Sequence, residues 1–419
     1  MKYKRMENCM FTTIKTIERT IQAQLQLADE IAYVNQKKVL DAFQSQRVSD
    51  HHFNPSTGYG YDDEGRDTLE CVYADVFKAE AALVRPQIIS GTHAITISLF
   101  GVLRPGDELL YLTGKPYDTL DSIVSGGDKD TGSLKDFGIS YQHTALNADN
   151  KIDWSAAEKA ISNKTKVIAI QRSRGYDTRP SFTIEEIGEM VAKIRYLKPE
   201  TIIFVDNCYG EFVERQEPIE VGADLIAGSL IKNPGGGLAK IGGYIAGRKE
   251  LIEKCGYRMT SPGIGREAGA SLNALPDMYQ GFFMAPHIVS QALKGAIFTS
   301  ALLEDAGMAT TPHWSDRRTD LIQSVSFQTA EQMIAFCQTI QASSPVNAQF
   351  KPEPAYMPGY EDDVIMAAGT FVQGSSIELT ADGPIRAPYT AFVQGGLTYE
   401  HVKIAVLNSV DALKKLKLL

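Results

Sequence analysis

Short apolar segments alternate with helix-like segments through the central part of the chain. The candidate strands are residues 83–84, 88–89, 108–112, 167–170, 202–205, 223–227 and 241–246. Between them, segments at 92–103, 154–161 and 183–197 carry apolar residues at helical spacing. Strands that alternate with helices predict an α/β domain with a mainly parallel sheet. In such sheets ligands bind at the carboxyl ends of the strands.

The pattern changes toward both ends of the chain. Residues 14–48 have apolar side chains at helical spacing without glycine or proline, and predict a helical N-terminal segment. A helix-like stretch at 284–307 is followed by strand-like segments at 325–329, 371–373 and 376–379, and by a terminal helix at 399–416. The sequence therefore predicts a helical segment at 1–50, a large α/β domain at 51–299 and a smaller α+β domain at 300–419.

Charge and cysteine content narrow the class of protein. The chain has 42 Lys and Arg against 51 Asp and Glu, a net charge of −9, which argues against nucleic acid or an anionic membrane as the main partner. Five scattered cysteines without a CxxC pair predict reduced thiols. No apolar signal-peptide core follows the basic start, and no run of ~18 apolar residues is present. We expect a soluble, cytoplasmic protein with no nucleic-acid or membrane partner.

Asp206 and Lys232 give the strongest indication of chemistry. Asp206 ends the apolar run at 202–205, and Lys232 lies between Ser229 and the glycines at 235–237. A lysine can hold pyridoxal phosphate as a Schiff base, while an aspartate keeps the pyridine nitrogen protonated. A buried lysine beside a cofactor is expected to have a lowered pKa, which suits this chemistry. The pair predicts pyridoxal 5′-phosphate as the cofactor.

Other ligand classes are less well supported by the residues. A carboxylate after an apolar strand also occurs at magnesium sites, but no GxxxxGK[ST] loop accompanies Asp206. The glycines at 235–237 do not match GxGxxG, which argues against a dinucleotide. His51 and His52 could bind a metal, but neither HExxH nor a finger spacing is present. We therefore expect no metal site.

The segment at residues 90–93 predicts a binding site for the phosphate, called the phosphate seat below. Ser90, Gly91, Thr92 and His93 follow an apolar strand and open a helix. The unpaired N–H groups and the dipole of a helix N-terminus favour an anion, and Gly91 permits close approach of the backbone. Thr92 and Ser229 could donate hydroxyl hydrogen bonds to the phosphate. The ring of His93 could contact a face of the cofactor.

Two further side chains complete the candidate site. Tyr117 follows the strand at 108–112, and an aromatic ring at a strand end can stack on a flat heteroaromatic ring. Arg386 lies in the predicted small domain, after the strand-like segment at 376–379. A guanidinium group binds a carboxylate in bidentate geometry. Arg386 could therefore close over an amino-acid substrate.

The order and spacing of these segments resemble the fold-type I pyridoxal-phosphate enzymes, especially the Cys/Met-metabolism group of cystathionine and methionine lyases. More narrowly, the stretches at 58–67, 84–94, 171–176 and 228–237 resemble the family labelled aluminium resistance protein, or cystathionine β-lyase-like. The resemblance covers nearly the whole chain. It implies an aspartate-aminotransferase-like fold, with a three-layer α/β/α large domain, a mainly parallel sheet and a smaller α+β C-terminal domain.

The resemblance also implies roles for residues of one subunit. Lys232 would bind the cofactor and shuttle the proton at the substrate Cα, and Tyr117 would stack on the ring as a second catalytic residue. Asp206 would pair with the pyridine nitrogen. Ser173 or Arg174 would lie near the O3′ atom of the cofactor. The residues that would hold the phosphate and its surroundings are Ser90, Gly91, Thr92, His93 and Ser229.

A neighbouring subunit is implied as well, because sites in this group lie at a dimer interface. Tyr61 and Arg66 would reach the phosphate from that subunit, and Tyr61 would also contact the substrate. Arg386 would bind the substrate α-carboxylate. The implied partners are therefore an amino-acid substrate and a second copy of the chain, in a dimer with shared sites and, by the same resemblance, a tetramer.

Two motifs depart from the lyase pattern. Ile231 stands where the lyases carry the threonine of Ser-x-Thr-Lys, and Tyr61 is followed by Asp-Asp-Glu-Gly before Arg66. The expected function is a pyridoxal-phosphate-dependent lyase that acts by β- or γ-elimination on cystathionine, cysteine or methionine. An aminotransferase or aldolase on the same fold, a non-catalytic cofactor-binding protein and, more distantly, a nicotinamide oxidoreductase are the alternatives. The intact set of Lys232, Asp206 and Arg386 argues against a non-catalytic protein.

Overall fold

The structure is a computed structural model that describes residues 2–126, 131–177, 179–357 and 362–419. It divides into two compact units. The large unit is Asn35–Phe283, and the small unit combines Met1–Val34 with Met284–Leu419. Within the described ranges, none of the helices is both long enough and apolar enough to cross a membrane.

Helices and strands alternate through much of the chain. The helices are α1 Lys2–Thr20, α2 Gln22–Ser45, α3 Glu64–Phe77, α4 Gly91–Val102, α5 Asp118–Val124, α6 Trp154–Ala160, α7 Ile184–Leu197, α8 Lys249–Met259, α9 Leu275–Asp305, α10 Ala330–Ala342 and α11 Tyr399–Lys415. The strands are β1 Ala81–Arg85, β2 Glu108–Tyr111, β3 Ser140–His143, β4 Thr165–Gln171, β5 Ile202–Asp206, β6 Leu225–Ser229, β7 Gly243–Gly247, β8 Ala309–Thr311, β9 Gln323–Ser326, β10 Val364–Ala367, β11 Thr380–Pro384 and β12 Thr390–Gln394.

The large unit is built on a seven-stranded sheet in the order β1-β7-β6-β5-β4-β2-β3. Strand β7 is antiparallel to β1 and β6, and the other neighbouring strands are parallel. Gln171 of β4, Asp206 of β5 and Ala227 of β6 lie side by side in register. The carboxyl ends of these three strands therefore meet at one edge, where a parallel sheet binds ligands.

Helices cover both faces of this sheet. On one face, Leu99 of α4 and Cys255 of α8 join a buried core with Ile245 of β7. Tyr244 points to the other face, because side chains alternate along a strand. There Tyr244 packs against Phe77 of α3, with ring centroids 5.1 Å apart. The sheet is thus the middle of three layers, which confirms the predicted α/β/α architecture.

The small unit has a five-stranded antiparallel sheet in the order β10-β11-β12-β9-β8. Its core joins apolar residues of α10 and α11, such as Phe336 and Val406, with Val325 and Ala391 of the sheet. Ile21, between α1 and α2, is buried in the same core. The predicted α+β character of the C-terminal region is confirmed.

The sequence placed two strands of the small unit wrongly. Residues 371–373 and 376–379 do not form strands, and β11 begins at Thr380. The buried carboxylate of Glu378 instead accepts hydrogen bonds from the backbone N–H groups of Phe371 and Val372, at 2.8 and 2.9 Å. These bonds fold the segment back on itself, so its backbone donors are satisfied without a strand partner.

Candidate active site

Asp206 lies at the centre of the candidate site. It is the last residue of β5 and is 7 % exposed. Its Oδ1 atom accepts a hydrogen bond of 3.2 Å from the backbone N–H of Cys208. Burial raises the pKa of Asp206, although the charge of Lys232 and the bond from Cys208 oppose this shift. A carboxylate in this setting favours a cationic partner, since an uncompensated buried charge is costly.

Lys232 follows the end of β6 and directly precedes a short 3₁₀ turn at Asn233–Gly235. Its Nζ atom lies 3.9 Å from the ring centroid of Tyr209. Burial lowers the Lys232 pKa, but Cys208, Tyr209, Asp206 and Glu211 together more than reverse this, so the pKa is raised. Among the protein's own groups, these neighbours therefore outweigh desolvation. The lowered pKa expected for Lys232 beside a bound cofactor stays a prediction.

The N-terminus of α4 lies beside Cys208, two residues after Asp206, and beside the end of β6. Ser90 caps the helix, and its hydroxyl accepts a hydrogen bond of 3.0 Å from the His93 N–H. A Cβ atom at Gly91 would lie 3.1 Å from the Cys208 sulfur and 3.3 Å from the Ser229 Cβ. Gly91 thus allows the first turn of α4 to approach the segments that follow β5 and end β6. The predicted phosphate seat at the start of α4, which includes Thr92, therefore lies next to Cys208 and Ser229.

His93 uses one ring nitrogen within the protein. Its Nδ1 accepts a hydrogen bond of 3.2 Å from the backbone N–H of Ile89. Burial, and then the charge of Arg258, lower the pKa of His93. Its ring is therefore neutral at neutral pH.

Tyr117 and Ser173 are connected to the same edge of the sheet through Gln171. The Tyr117 N–H donates to the Gln171 side chain at 2.9 Å, and the same side chain donates to the Ser173 carbonyl at 2.9 Å. The ring of Tyr117 packs edge to face with Tyr176, at a centroid distance of 6.2 Å. Because Gln171 is in register with Asp206, Tyr117 and Ser173 are held close to the strand end that carries the carboxylate.

A buried ionic network supports the Asp206 turn and was missed in the sequence. The guanidinium of Arg172 donates to Asn207 at 2.8 Å and contacts the carboxylates of Glu214 and Glu217 at 3.2 and 3.5 Å. The Asn207 amide in turn donates to Glu217 at 2.9 Å. These contacts fix the residue that follows Asp206. Acidic residues at every third position after a strand end, at 211, 214 and 217, were the available signal.

Glu211 belongs to the same acidic series and is completely buried. Its Oε1 atom accepts a hydrogen bond of 2.8 Å from the Tyr244 hydroxyl. Burial raises the Glu211 pKa to about 8, and the nearby Glu217 adds to the increase. Burial therefore favours the protonated form of Glu211.

Three predicted site residues make contacts elsewhere. Arg66 is 2 % exposed, and its guanidinium donates to the carbonyls of Gly60 and Gly269 at 2.5 and 3.2 Å. It thereby holds the loop that carries Tyr61, which is 55 % exposed. Arg386 lies in the small unit, on the connection after β11, and its guanidinium is 3.4 Å from the Asp362 carboxylate. The roles of these three residues stay predictions.

Comparison with known proteins identifies the family. The Methionine gamma-lyase family profile matches residues 10–414. The chain belongs to the methionine gamma-lyase family. It is 64 % identical over 408 residues to the protein YnbB of Bacillus subtilis strain 168, covering 97 % of each chain. This membership confirms the resemblance seen in the sequence, and with it the class of pyridoxal-phosphate-dependent, carbon–sulfur lyase-like enzyme.

Two solved structures superpose closely on the chain. One is a Listeria monocytogenes protein provisionally named a cystathionine beta-lyase involved in aluminum resistance, at 65 % identity and a TM-score of 0.95. The alignment covers 96 % of this chain and 99 % of that protein. The other is a carbon-sulfur lyase involved in aluminum resistance from Clostridium novyi NT, at 48 % identity, a TM-score of 0.92 and coverages of 96 % and 95 %.

Glu211 should make stability depend on pH. Its pKa of about 8 in the folded protein exceeds the ordinary value of 4.5. In the pH window between these two values, the folded protein keeps a proton that the unfolded chain releases. The stabilisation is complete below the ordinary pKa and is lost as the pH rises through the folded one. Glu211→Gln should therefore gain stability over the wild type by up to about 1.4 kcal/mol per pH unit in this window. Urea unfolding at several pH values measures the gain, and parallel pH profiles would contradict it.

Proposed function

We propose that the protein is a pyridoxal-phosphate-dependent lyase that breaks a carbon–sulfur bond of an amino acid by β- or γ-elimination. The proposed substrates are cystathionine, cysteine and methionine. The observation that carries the proposal is the convergence of Asp206, Lys232 and the N-terminus of α4 at one edge of the parallel sheet. The names of the family and of the two superposed structures agree with this reaction class.

The residues at this edge fit the cofactor on chemical grounds. Asp206 is a buried carboxylate suited to a protonated ring nitrogen, and Lys232 is an amine within its electrostatic reach. The glycine at the start of α4 leaves room for an anion beside the N–H groups of the helix. Ser229, at the end of β6, lies against that glycine and offers a hydroxyl. The donor set thus matches the ring nitrogen, the aldehyde and the phosphate.

Each residue has a distinct part in the proposed reaction. When bound, the cofactor supplies an electron sink for the charge that develops at the substrate Cα. Lys232 accepts the Cα proton and returns a proton later in the reaction. Tyr117 would pack beside the ring of the bound cofactor, and Asp206 would keep its ring nitrogen protonated. Arg386 binds the substrate α-carboxylate, as a guanidinium group is suited to do.

We further propose a homodimer with shared sites, which could pair into a tetramer. Tyr61 stacks on Tyr59 at 5.3 Å, and both rings are more than half exposed. The backbone N–H of Gly269 donates to the Tyr59 carbonyl, so the loop lies beside Leu272, which is also largely exposed. Ile89, next to the phosphate seat, is 67 % exposed. Such exposed apolar side chains are typical of a subunit interface.

Product analysis tests the reaction. The wild-type protein, supplied with pyridoxal phosphate and cystathionine, cysteine or methionine, should release a keto acid together with a thiol or sulfide. Lys232→Ala should lose at least about a thousandfold in kcat, since the proton carrier is removed. Transfer of the amino group to an added keto acid would indicate an aminotransferase. Binding of the cofactor without turnover of any sulfur amino acid would contradict the lyase.

Subunit complementation tests the shared site. Lys232→Ala and Tyr61→Phe chains, each inactive or weakly active alone, should form a hybrid dimer with one intact site when they are co-expressed. In an equal mixture, hybrids would restore about a quarter of wild-type activity. Both substitutions on one chain provide the control, because no pairing of such chains gives an intact site. If the mixture shows no gain over the separate variants, Tyr61 does not serve the neighbouring subunit.

A further inference from the structure

Glu211 has a carboxyl group that the proposed reaction does not use. One oxygen, Oε1, is bound by the Tyr244 hydroxyl. The other, Oε2, is buried and lacks a hydrogen-bond partner among the described residues. A Cβ atom at Gly228 would lie 2.5 Å from Oε1, so β6 needs a glycine at the position where the carboxyl group packs against it. The strand next to Lys232 is thus shaped around this side chain.

The backbone of Glu211 is tied to the loop that carries Lys232. The side-chain amide of Asn233 donates a hydrogen bond of 2.9 Å to the Glu211 carbonyl. Asn233 is buried and directly follows Lys232. The Glu211 carboxyl group and the Lys232 amine also interact electrostatically. A change of charge at Glu211 would therefore change the pKa of the Lys232 amine.

The groups that face Glu211 are mostly uncharged or acidic. Tyr73 of α3, Tyr244 of β7 and Cys208 interact with it, and for all three burial raises the pKa well above the ordinary range. Glu217 is an acidic neighbour, and Lys232 is the cationic group that opposes the rise in the Glu211 pKa. In this setting a negative charge on Glu211 would be stabilised chiefly by the lysine.

We propose that Glu211 is a positioning residue that stays uncharged in the working enzyme and so leaves Lys232 able to release its proton. This inference rests on the proposed function. Were Glu211 ionised, its charge would add to that of Asp206 and favour the proton on the lysine nitrogen. The reaction should therefore slow at alkaline pH. There Glu211 ionises, and its negative charge keeps on the Lys232 nitrogen the proton that the lysine must pass on.

A pH titration of the holoenzyme tests this role. The visible absorption band of the bound cofactor reports protonation of the Lys232–cofactor nitrogen. Glu211→Gln should shift the midpoint of this titration to lower pH by roughly one unit, because no negative charge develops beside the nitrogen. The kcat profile of the wild type should fall as the pH rises through about 8, the Glu211 pKa, and the variant profile should lack that step.

Two other variants control the experiment. Glu220→Gln alters a carboxylate of the same connection that pairs with Lys38 at 3.0 Å, and it should leave the titration midpoint unchanged. Tyr244→Phe removes the hydrogen bond that favours ionised Glu211. It should therefore move the midpoint in the same direction as Glu211→Gln and serves as a second test if that variant does not fold.

The outcomes distinguish a failure of the proposed lyase function from a failure of the role proposed for Glu211. If the wild-type protein develops no visible band with pyridoxal phosphate, the proposed function is wrong. If the band forms but wild type and Glu211→Gln share one titration midpoint and one kcat profile, Glu211 does not influence Lys232. The inference is then overturned while the lyase proposal stands.

Discussion

The structure depends on how a buried carboxylate is accommodated at the end of a parallel strand. Asp206 lies on an apolar strand, where burial raises its pKa, and it needs positive charge nearby. Lys232 supplies such charge from the loop after β6, and Arg179 contributes from the segment after β4. This requirement explains why the ends of three adjacent strands carry polar residues while the strands themselves are buried and apolar. The same requirement makes a protonated pyridine ring a suitable ligand.

Buried polar groups around Asp206 and Lys232 fix the positions of neighbouring residues, at a cost in stability. Arg172 is fully buried and is balanced by Glu214 and Glu217, with Asn207 held between them. Removing one member of such a set is costly, because it leaves a buried charge without a partner. Burial raises the pKa of Glu211 to about 8, and we infer that this residue adds no further negative charge beside Lys232.

Much of the site could be predicted because its residues belong to patterns that are visible in the local sequence. Apolar runs locate β4, β5 and β6, and the polar residues that end them meet wherever the sheet is parallel. What was missed depends on partners far along the chain. Arg172 meets carboxylates beyond the next strand, the raised Lys232 pKa reflects several acidic neighbours, and Glu378 folds back a segment expected to be strand. The roles proposed for Tyr61 and Arg386 involve a second copy of the chain and the small unit, which local patterns do not describe.

We propose that Lys232 is the residue that binds pyridoxal phosphate. Reduction of the holoenzyme with borohydride, followed by peptide mapping with mass spectrometry, tests it most directly. We expect a reduced pyridoxyl group on the peptide that contains Lys232, and no stable modification in Lys232→Ala. Modification of a different lysine, or a Lys232 peptide of unchanged mass in protein that has bound the cofactor, would contradict it.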